Sequence, residues 1–223
     1  MARDMDRTLI FDLDGTLVDS APDLLEATNA VLAALGRTLI DPATLRHMVG
    51  FGARSLITQA MTATGAPPVE SDMPRLLEIF LDHYRDHIAD HSTVFPGVIE
   101  TLAGLKAQGV RLGLLTNKPH DMTLSLLPLL KLDGYFEAVY GAGRMAYAKP
   151  DPRIFADVVR DVGGGAAVMI GDSVTDLMTG RAAGAPVILV DYGYTPESAA
   201  SLGADAVTGD FREIPALARR LLG

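Results

Sequence analysis

The chain has 223 residues, of which 48% are hydrophobic and 21% charged, so it holds enough apolar material for a packed core without cross-links. Its 28 acidic and 19 basic residues give a formal net charge of −9, which argues against nucleic acids and anionic membranes as partners. The sequence contains no cysteine, which excludes disulfides, thiolate catalysis and cysteine-ligated zinc. The first apolar run is too short for a signal peptide or a membrane span, so we expect a cytoplasmic protein.

Short apolar runs bounded by turn residues predict five buried parallel strands, at residues 8–13, 110–115, 138–140, 167–170 and 186–190. Segments of helical periodicity lie between several of these runs, for example the segment that carries Val98, Leu102 and Leu105. An alternation of strands and helices is typical of a parallel sheet covered by helices. The sequence therefore predicts an α/β fold.

Residues 19–92 interrupt this alternation, because they contain no convincing strand and have helical periodicity nearly throughout. Apolar residues such as Leu24 and Val31 recur there at helical spacing. We therefore expect two domains, an α/β core formed by residues 1–18 and 93–223 and a helical domain inserted after the first strand.

The first predicted strand ends in the run Phe11-Asp12-Leu13-Asp14-Gly15-Thr16, which carries two aspartates. Strand alternation puts Asp12 and Asp14 on the same side of the chain, at the end of the strand where open parallel sheets have their ligand crevice. A tight turn at Asp14 and Gly15, with Asp12 merely solvated, is the alternative. An EF-hand calcium loop is excluded, because Gly15 comes too early and no glutamate follows at the required distance.

A second acidic pair follows the strand predicted at residues 167–170, in the run Gly171-Asp172-Ser173-Val174-Thr175-Asp176. If a helix begins here, Asp176 lies one turn from Asp172. Helix capping by Asp172 or Ser173 is the alternative interpretation. Capping accounts less well for acidic pairs at two strand ends, since clustered carboxylates repel one another unless a cation joins them. Oxygen ligands of this kind favour Mg²⁺ together with a substrate phosphate.

Donor groups that suit an anion follow two other elements. Thr116, Asn117 and Lys118 end the second predicted strand with a hydroxyl, an amide and an amine in succession. Lys149 precedes a helix whose start is set by proline, although any single lysine can equally be a solvated surface residue. It is the joint pattern of acids, hydroxyl and lysine that points to a phosphate-handling site.

This ordered set resembles the four motifs of the haloacid dehalogenase superfamily: DxDGT, a Thr or Ser after the second strand, a Lys, and GDxxxD. All four occur here in that order, and the resemblance covers the whole chain. It implies a Rossmann-like parallel core with an inserted α-helical cap at residues 19–92. More narrowly, the runs FDLDGTLVDSAPDLLEATN, HYRDH, FPGVIETL, TNKP and YGYTPE are similar to the phosphoglycolate phosphatase family.

The resemblance implies a Mg²⁺-dependent phosphomonoesterase that forms an aspartyl-phosphate intermediate on Asp12, with Asp14 as general acid and base. It implies a small phosphorylated metabolite as substrate, which is 2-phosphoglycolate by the narrower resemblance. The implied metal ligands are Asp12, the main-chain carbonyl of Asp14, and Asp172, with Asp176 and Ser173 supporting the metal from nearby. The implied phosphate-binding groups are Thr116, Asn117, Lys118, Lys149 and the backbone N–H groups of Leu13 and Gly15.

Arg54 follows two glycines in the inserted segment and is the predicted contact for the substrate's non-phosphate anion. A solvated arginine at a helix start is the alternative. Three histidines, His83, His87 and His91, recur every four residues. They are typical of a solvated helix face, with a transition-metal site as the alternative.

Several other functions remain as alternatives. A dehalogenase of the same superfamily typically lacks the second aspartate of the first motif, so Asp14 argues against it. A phosphomutase shares every core residue and stays open, as do other sugar phosphatases and pyrophosphatases. A phosphoryl-accepting signalling module would have adjacent acids and no helical insert, and a non-catalytic binding protein would not need both Asp12 and Asp14. No GxGxxG or Walker A motif indicates a nucleotide cofactor, and a monomer and a homodimer are both compatible with the sequence.

Overall fold

The structure is a computed structural model that describes residues 7–195 and 198–223. The first six residues of the predicted core and the last two of the YGYTPE run lie outside the described residues. A six-stranded parallel sheet has the spatial order β5-β4-β1-β6-β7-β8. Its strands are β1 (Arg7–Phe11), β4 (Arg111–Pro119), β5 (Ala138–Ala142), β6 (Ala166–Gly171), β7 (Val187–Val190) and β8 (Ala206–Thr208). Two further short strands, β2 (Val18–Asp19) and β3 (Thr93–Val94), form a separate antiparallel pair.

Helices cover the sheet and fill the inserted segment. Between β2 and β3 lie α1 (Ala21–Ala34), α2 (Pro42–Arg46), α3 (Ala53–Ala63) and α4 (Met73–Asp86). After β3 come α5 (Val98–Ala107), α6 (His120–Leu129), α7 (Pro152–Asp161), α8 (Val174–Ala182) and α9 (Ile214–Leu222). Short 3-10 helices occupy Glu70–Asp72, Ala199–Leu202 and Phe211–Glu213. No helix in the described part of the chain is both long and apolar enough to cross a membrane.

The central strands are buried on both faces, which is why they are continuous apolar runs rather than alternating ones. The predicted α/β fold with a parallel sheet is confirmed. The structure differs in detail from the strands expected: β1 ends at Phe11, β4 extends to Pro119, and β8 was not predicted. A strand of three residues at the sheet edge carries too little apolar periodicity to stand out in the sequence.

The four helices of the inserted segment pack on one another, with α1 against α2, α3 and α4. Their apolar faces join one hydrophobic cluster that includes Leu32, Leu56 and Phe80. The predicted division into a core (1–18 and 93–223) and a cap (19–92) stays a prediction.

Candidate active site

Sheet register brings the predicted motifs to one edge. Phe11 at the end of β1 pairs with Leu114 of β4 on one side and with Ile170 of β6 on the other. The next residue, Asp12, donates its backbone N–H to the carbonyl of Ile170 at 2.9 Å. The carboxyl ends of three neighbouring strands therefore meet here, where open parallel sheets bind ligands.

Three buried carboxylates lie together at this edge. One oxygen from each of Asp12, Asp172 and Asp176 lies within 4.8 Å of the other two, and the three residues are 4%, 2% and 0% exposed. Burial raises the pKa of Asp12 to about 7, with Lys149 acting in the opposite direction and Asp176 adding to the rise. Burial, with the neighbouring Asp176 and Asp12, also raises the pKa of Asp172 well above its usual value. A set of carboxylate oxygens that disfavour each other's charge fits a hard divalent cation, so this acidic triad is a candidate metal site.

Asp12 faces Lys149 through a buried oxygen. Among the described residues, its Oδ1 accepts no well-directed hydrogen bond, although Lys149 Nζ lies 2.9 Å away as an ion-pair partner. Lys149 also donates to Asp176 Oδ1 at 2.6 Å, and its side chain is only 1% exposed. Burial alone would lower the pKa of Lys149, but Asp12 and Asp176 outweigh burial and raise it. The lysine is therefore a fixed positive charge beside the Asp12 carboxylate.

Asp176 caps the start of α8 and also pairs with Lys149. Its Oδ1 takes the bond from Lys149, while its Oδ2 accepts from the backbone N–H groups of Asp172 and Ser173 and from Ser173 Oγ. The alternative of helix capping at the start of α8 is thus part of the observed structure, with Ser173 as N-cap residue. Gly171 permits this approach, since a Cβ there would lie 2.2 Å from Asp176 Cγ. Both oxygens of Asp176 are therefore already used within the protein.

Asp172 is oriented by two residues that were not predicted as site residues. Thr16 Oγ1 donates to its Oδ1 at 3.3 Å, and the backbone N–H of Tyr194 donates to its Oδ2 at 2.8 Å. Thr16 belongs to the first motif and Tyr194 to the YGYTPE run, but nothing in their spacing pointed to Asp172. The turn that delivers Thr16 needs Gly15, which has φ +86° and whose Cβ would lie 2.5 Å from Asp172 Oδ2.

Asp14 lies in a separate network on the other side of the site. Ser20 Oγ donates to its Oδ1 at 2.5 Å, and Lys118 Nζ lies 3.0 Å from Oδ1 and 3.3 Å from Oδ2. Lys118 also donates to the hydroxyl of Tyr84 in α4. Neither Ser20 nor Tyr84 was predicted as a site residue.

A cavity between the strand ends and the inserted helices is lined by five of the predicted site residues. Asp12, Asp14, Thr116, Asn117 and Lys118 line one side. The inserted segment contributes mainly small and apolar residues to the other side, namely Leu24, Val49, Gly50, Gly52, Ala53, Leu56, Phe80 and Tyr84. The cavity is thus polar at the sheet edge and apolar beneath the helices, which fits a small ligand with one anionic end.

The groups predicted to donate hydrogen bonds to phosphate differ in whether they already have partners within the protein. The backbone N–H of Gly15 already donates to the carbonyl of Val18 at 2.9 Å, whereas no acceptor for the N–H of Leu13 is found among the described residues. Asn117 Nδ2 lies 3.3 Å from the carbonyl of Lys149, and Asn117 Oδ1 has no partner within residues 7–195 and 198–223. Thr116 Oγ1 accepts the backbone N–H of Lys118 at 3.2 Å.

Arg54 and the histidines lie apart from this cavity. Arg54 is 55% exposed in its side chain and pairs with Glu70 at 2.8 Å, so the structure does not bring it to the other site residues. The rings of His83 and His87 lie 4.7 Å apart, and His87 Nδ1 bonds Asp90 Oδ2 at 2.8 Å. In the described part of the chain, the acidic triad is the only group of three or more metal-ligating side chains, so the histidines form no such cluster.

A parallel sheet with buried acids at its central strand ends and a helical insert over them defines the class of protein. The family model for haloacid dehalogenase-like hydrolases matches residues 9–190, and the chain belongs to this family. It is 46% identical to the phosphoglycolate phosphatase of Caulobacter vibrioides, over 93% of this chain and 89% of that protein. It is 42% identical to the phosphoglycolate phosphatase of Mesorhizobium japonicum, over 96% of both chains.

Comparison with solved structures agrees with this family assignment. A crystal structure of a predicted phosphoglycolate phosphatase from Haemophilus somnus 129PT superposes with a TM-score of 0.89 at 28% identity, covering 97% of this chain and 99% of that one. The prediction of a phosphatase of the haloacid dehalogenase superfamily is thereby confirmed.

Proposed function

We propose that this enzyme hydrolyses 2-phosphoglycolate to glycolate and phosphate, using Mg²⁺ and a phosphorylated Asp12 intermediate. The observation that carries the proposal is the buried carboxylate of Asp12, which lines the cavity beside the positive charge of Lys149. A carboxylate that lines the cavity is placed to attack the phosphorus of a bound phosphate ester. The narrow cavity and the names of the two bacterial relatives support a small substrate of this kind.

The reaction divides into two displacements at phosphorus. In the first, a carboxylate oxygen of Asp12 forms a bond to phosphorus while the bond to the substrate's ester oxygen breaks, and Asp14 gives its proton to that oxygen. In the second, Asp14 takes a proton from water as the water attacks the aspartyl phosphate and releases Asp12. Asp14 lines the same cavity as Asp12, which supports this pairing of roles.

Four groups are proposed to bind and stabilise the transferring phosphoryl group. Lys149 supplies a positive charge beside Asp12, and Thr116, Asn117 and the backbone N–H of Leu13 supply hydrogen bonds to the phosphoryl oxygens. Gly15 contributes mainly by permitting the turn, because its N–H is engaged with Val18. Lys118 lines the cavity but is already paired with Asp14.

The buried carboxylates fit a magnesium ion. Asp12, the main-chain carbonyl of Asp14 and Asp172 would hold it, and Asp176 and Ser173 would support that arrangement through their hydrogen bonds at the start of α8. When bound, Mg²⁺ supplies positive charge that reduces repulsion between the phosphate and the carboxylates. All its protein ligands are oxygens, which suits Mg²⁺ better than softer metals.

The helical segment, residues 19–92, is proposed as a cap over the site, with the core formed by residues 1–18 and 93–223. Its side chains form the apolar side of the cavity, which supports a role in excluding water and limiting substrate size. The cytoplasmic location and the monomeric or homodimeric state stay predictions, as does the contact of Arg54 with substrate.

Phosphate release tests the proposal. The assay compares 2-phosphoglycolate, β-glucose 1-phosphate and pyrophosphate, each with and without Mg²⁺, in the wild type, in Asp12→Asn and in Asp133→Asn. Asp133 is exposed and serves as a matched control for the loss of one carboxylate. We expect Mg²⁺-dependent preference for 2-phosphoglycolate, with a loss of about a thousandfold or more in Asp12→Asn alone.

Other outcomes separate the parts of the proposal. Preference for another phosphomonoester would keep the chemistry and remove 2-phosphoglycolate as substrate. Failure to release phosphate from any compound would contradict the hydrolase reaction and favour a phosphomutase. Mass spectrometry of acid-quenched enzyme is expected to locate the phosphoryl group on the peptide that contains Asp12.

A further inference from the structure

Tyr84 connects the inserted helices to the end of β4. It lies in α4, is 1% exposed, and its hydroxyl lies 2.5 Å from Lys118 Nζ. The same ammonium group lies 4.5 Å from the centre of the Tyr84 ring. The side chain thus offers Lys118 both a hydrogen-bond acceptor and an aromatic face. A residue of the proposed cap therefore holds a charged group of the core.

Lys118 in turn holds Asp14, with which it forms an ion pair. The two oxygens of Asp14 are not equally engaged. Oδ1 accepts bonds from Ser20 Oγ at 2.5 Å and Lys118 Nζ at 3.0 Å, whereas among the described residues Oδ2 has only the longer contact of 3.3 Å with Lys118. Asp14 lines the cavity, and Oδ2 is its less occupied oxygen. This geometry leaves Oδ2 to exchange a proton with a ligand.

The position of Lys118 depends on both of its partners. Its side chain is 2% exposed, so each of its N–H groups needs an acceptor within the protein. Burial alone would lower the pKa of Lys118, but the Asp14 carboxylate and the Tyr84 hydroxyl outweigh burial and raise it. Burial also raises the pKa of Tyr84 to about 12, which keeps the phenol neutral and able to accept. Loss of the Tyr84 hydroxyl would leave an ammonium hydrogen without an acceptor and free Lys118 to move.

We propose that Tyr84 is a positioning residue for proton transfer by Asp14, because it holds Lys118 against the Asp14 carboxylate when α4 lies over the site. The proposal rests on the proposed function, in which Asp14 protonates the leaving oxygen. The proton passes from Asp14 to the ester oxygen as the phosphorus–oxygen bond breaks, and Lys118 and Tyr84 neither gain nor lose a proton. Tyr84 thus couples the position of the proposed cap to the orientation of the Asp14 carboxyl group.

Two substrates that differ in their need for a proton test this role. 2-Phosphoglycolate has an alkoxide leaving group that must be protonated, whereas acetyl phosphate, of nearly the same size, releases acetate without a proton. We expect Tyr84→Phe to lower kcat/KM for 2-phosphoglycolate by about tenfold and to change it for acetyl phosphate by less than about twofold. The value of kcat/KM reports the steps up to the first phosphoryl transfer. Its comparison between the two substrates therefore isolates the step in which Asp14 acts as acid.

Tyr140→Phe is the matched control. It also removes the hydroxyl of a buried tyrosine that bonds an aspartate, Asp161, at 2.6 Å, but Tyr140 does not line the cavity and belongs to a different hydrophobic cluster from Tyr84. We expect it to change neither substrate's kcat/KM by more than about twofold. Thermal unfolding of each variant establishes that it is folded under the assay conditions.

Equal losses on both substrates would overturn the proposal, because they would indicate a general structural role for Tyr84. Unchanged rates on both would overturn it as well. Tyr84→Met, which also lacks the hydroxyl, provides a second variant should Tyr84→Phe not fold, with the same selective loss expected and the same two outcomes against it. A wild type that hydrolyses neither substrate would contradict the proposed function itself, and with it this inference, before any variant is compared.

Discussion

Tyr194 and Asp172 are joined by a hydrogen bond of 2.8 Å from the Tyr194 backbone N–H to Asp172 Oδ2. The hydroxyl of the same tyrosine accepts from the backbone N–H groups of Ser20 and Ala21, at 2.8 and 3.0 Å, and donates to Asp19 Oδ1 at 2.8 Å. Tyr194, which follows β7 in the chain, therefore orients a carboxylate of the acidic triad and also anchors the start of α1. Through Tyr194, the acidic triad is physically connected to the point where the chain enters the inserted helices.

Removal of the Tyr194 hydroxyl is expected to destabilise the protein. In Tyr194→Phe, the buried N–H groups of Ser20 and Ala21 lose their acceptor, which costs about 1–3 kcal/mol of unfolding free energy. Urea denaturation measures this change. Tyr147→Phe is the control, because the Tyr147 hydroxyl bonds Asp157 where water can replace it. Equal stability of Tyr194→Phe and the wild type would contradict a structural role for this hydroxyl.

Asp12 is expected to make the metal-free protein less stable as pH rises from about 5 to 7. Burial raises its pKa in the folded state from 3.8 to about 7, against the effect of Lys149, so over this range the folded state keeps a proton that the unfolded state has lost. Stability falls with rising pH wherever the folded state binds more protons. Urea denaturation in EDTA at several pH values measures the slope, and Asp12→Asn is expected to flatten it. An identical slope in the two proteins would show that Asp12 does not carry this effect.

Magnesium is expected to stabilise the folded state through the acidic triad. At a concentration one hundred times its Kd, the ion should raise the unfolding free energy by about 2.7 kcal/mol, since it binds the folded but not the unfolded chain. Thermal unfolding with increasing MgCl₂ measures the shift. Asp172→Asn should reduce it strongly, and the exposed Asp133→Asn should retain it. A shift of wild-type size in Asp172→Asn would place the ion elsewhere.

Gly15 is expected to be far less tolerant of substitution than a glycine of the same backbone conformation in open space. Gly15 and Gly143 have φ of +86° and +88°, but a Cβ at Gly15 would lie 2.5 Å from Asp172 Oδ2, whereas none of the described atoms lies within 4 Å of a Cβ at Gly143. Gly143→Ala should therefore cost about 1 kcal/mol of unfolding free energy from backbone strain alone. Gly15→Ala should cost more and also weaken Mg²⁺ binding. Equal costs in denaturation experiments would show that the contact with Asp172 is relieved by movement.

The location of the site was predictable from the sequence because it depends on a general property of parallel sheets. Once apolar runs alternate with helical segments, the residues that follow each run must meet at one edge. Asp12, Thr116 and Asp172 each lie at or just after the end of such a run, and the structure brings them to one edge of the sheet. The helical character of the inserted segment was equally visible, since periodicity is a local signal.

The partners of these residues were decided only by tertiary structure. Tyr194 bonds Ser20 across 174 positions of the chain, and Lys118 bonds Tyr84 across 34. Helical and strand periodicity in the sequence does not predict contacts between residues so far apart in the chain. The ion pair of Arg54 with Glu70 likewise joins residues 16 positions apart, and no local pattern indicated it. Local sequence determines which elements form and which groups end them, because backbone geometry repeats over a few residues. Which side chains then contact one another depends on how the helices pack on the sheet. Packing of the whole core determines that arrangement.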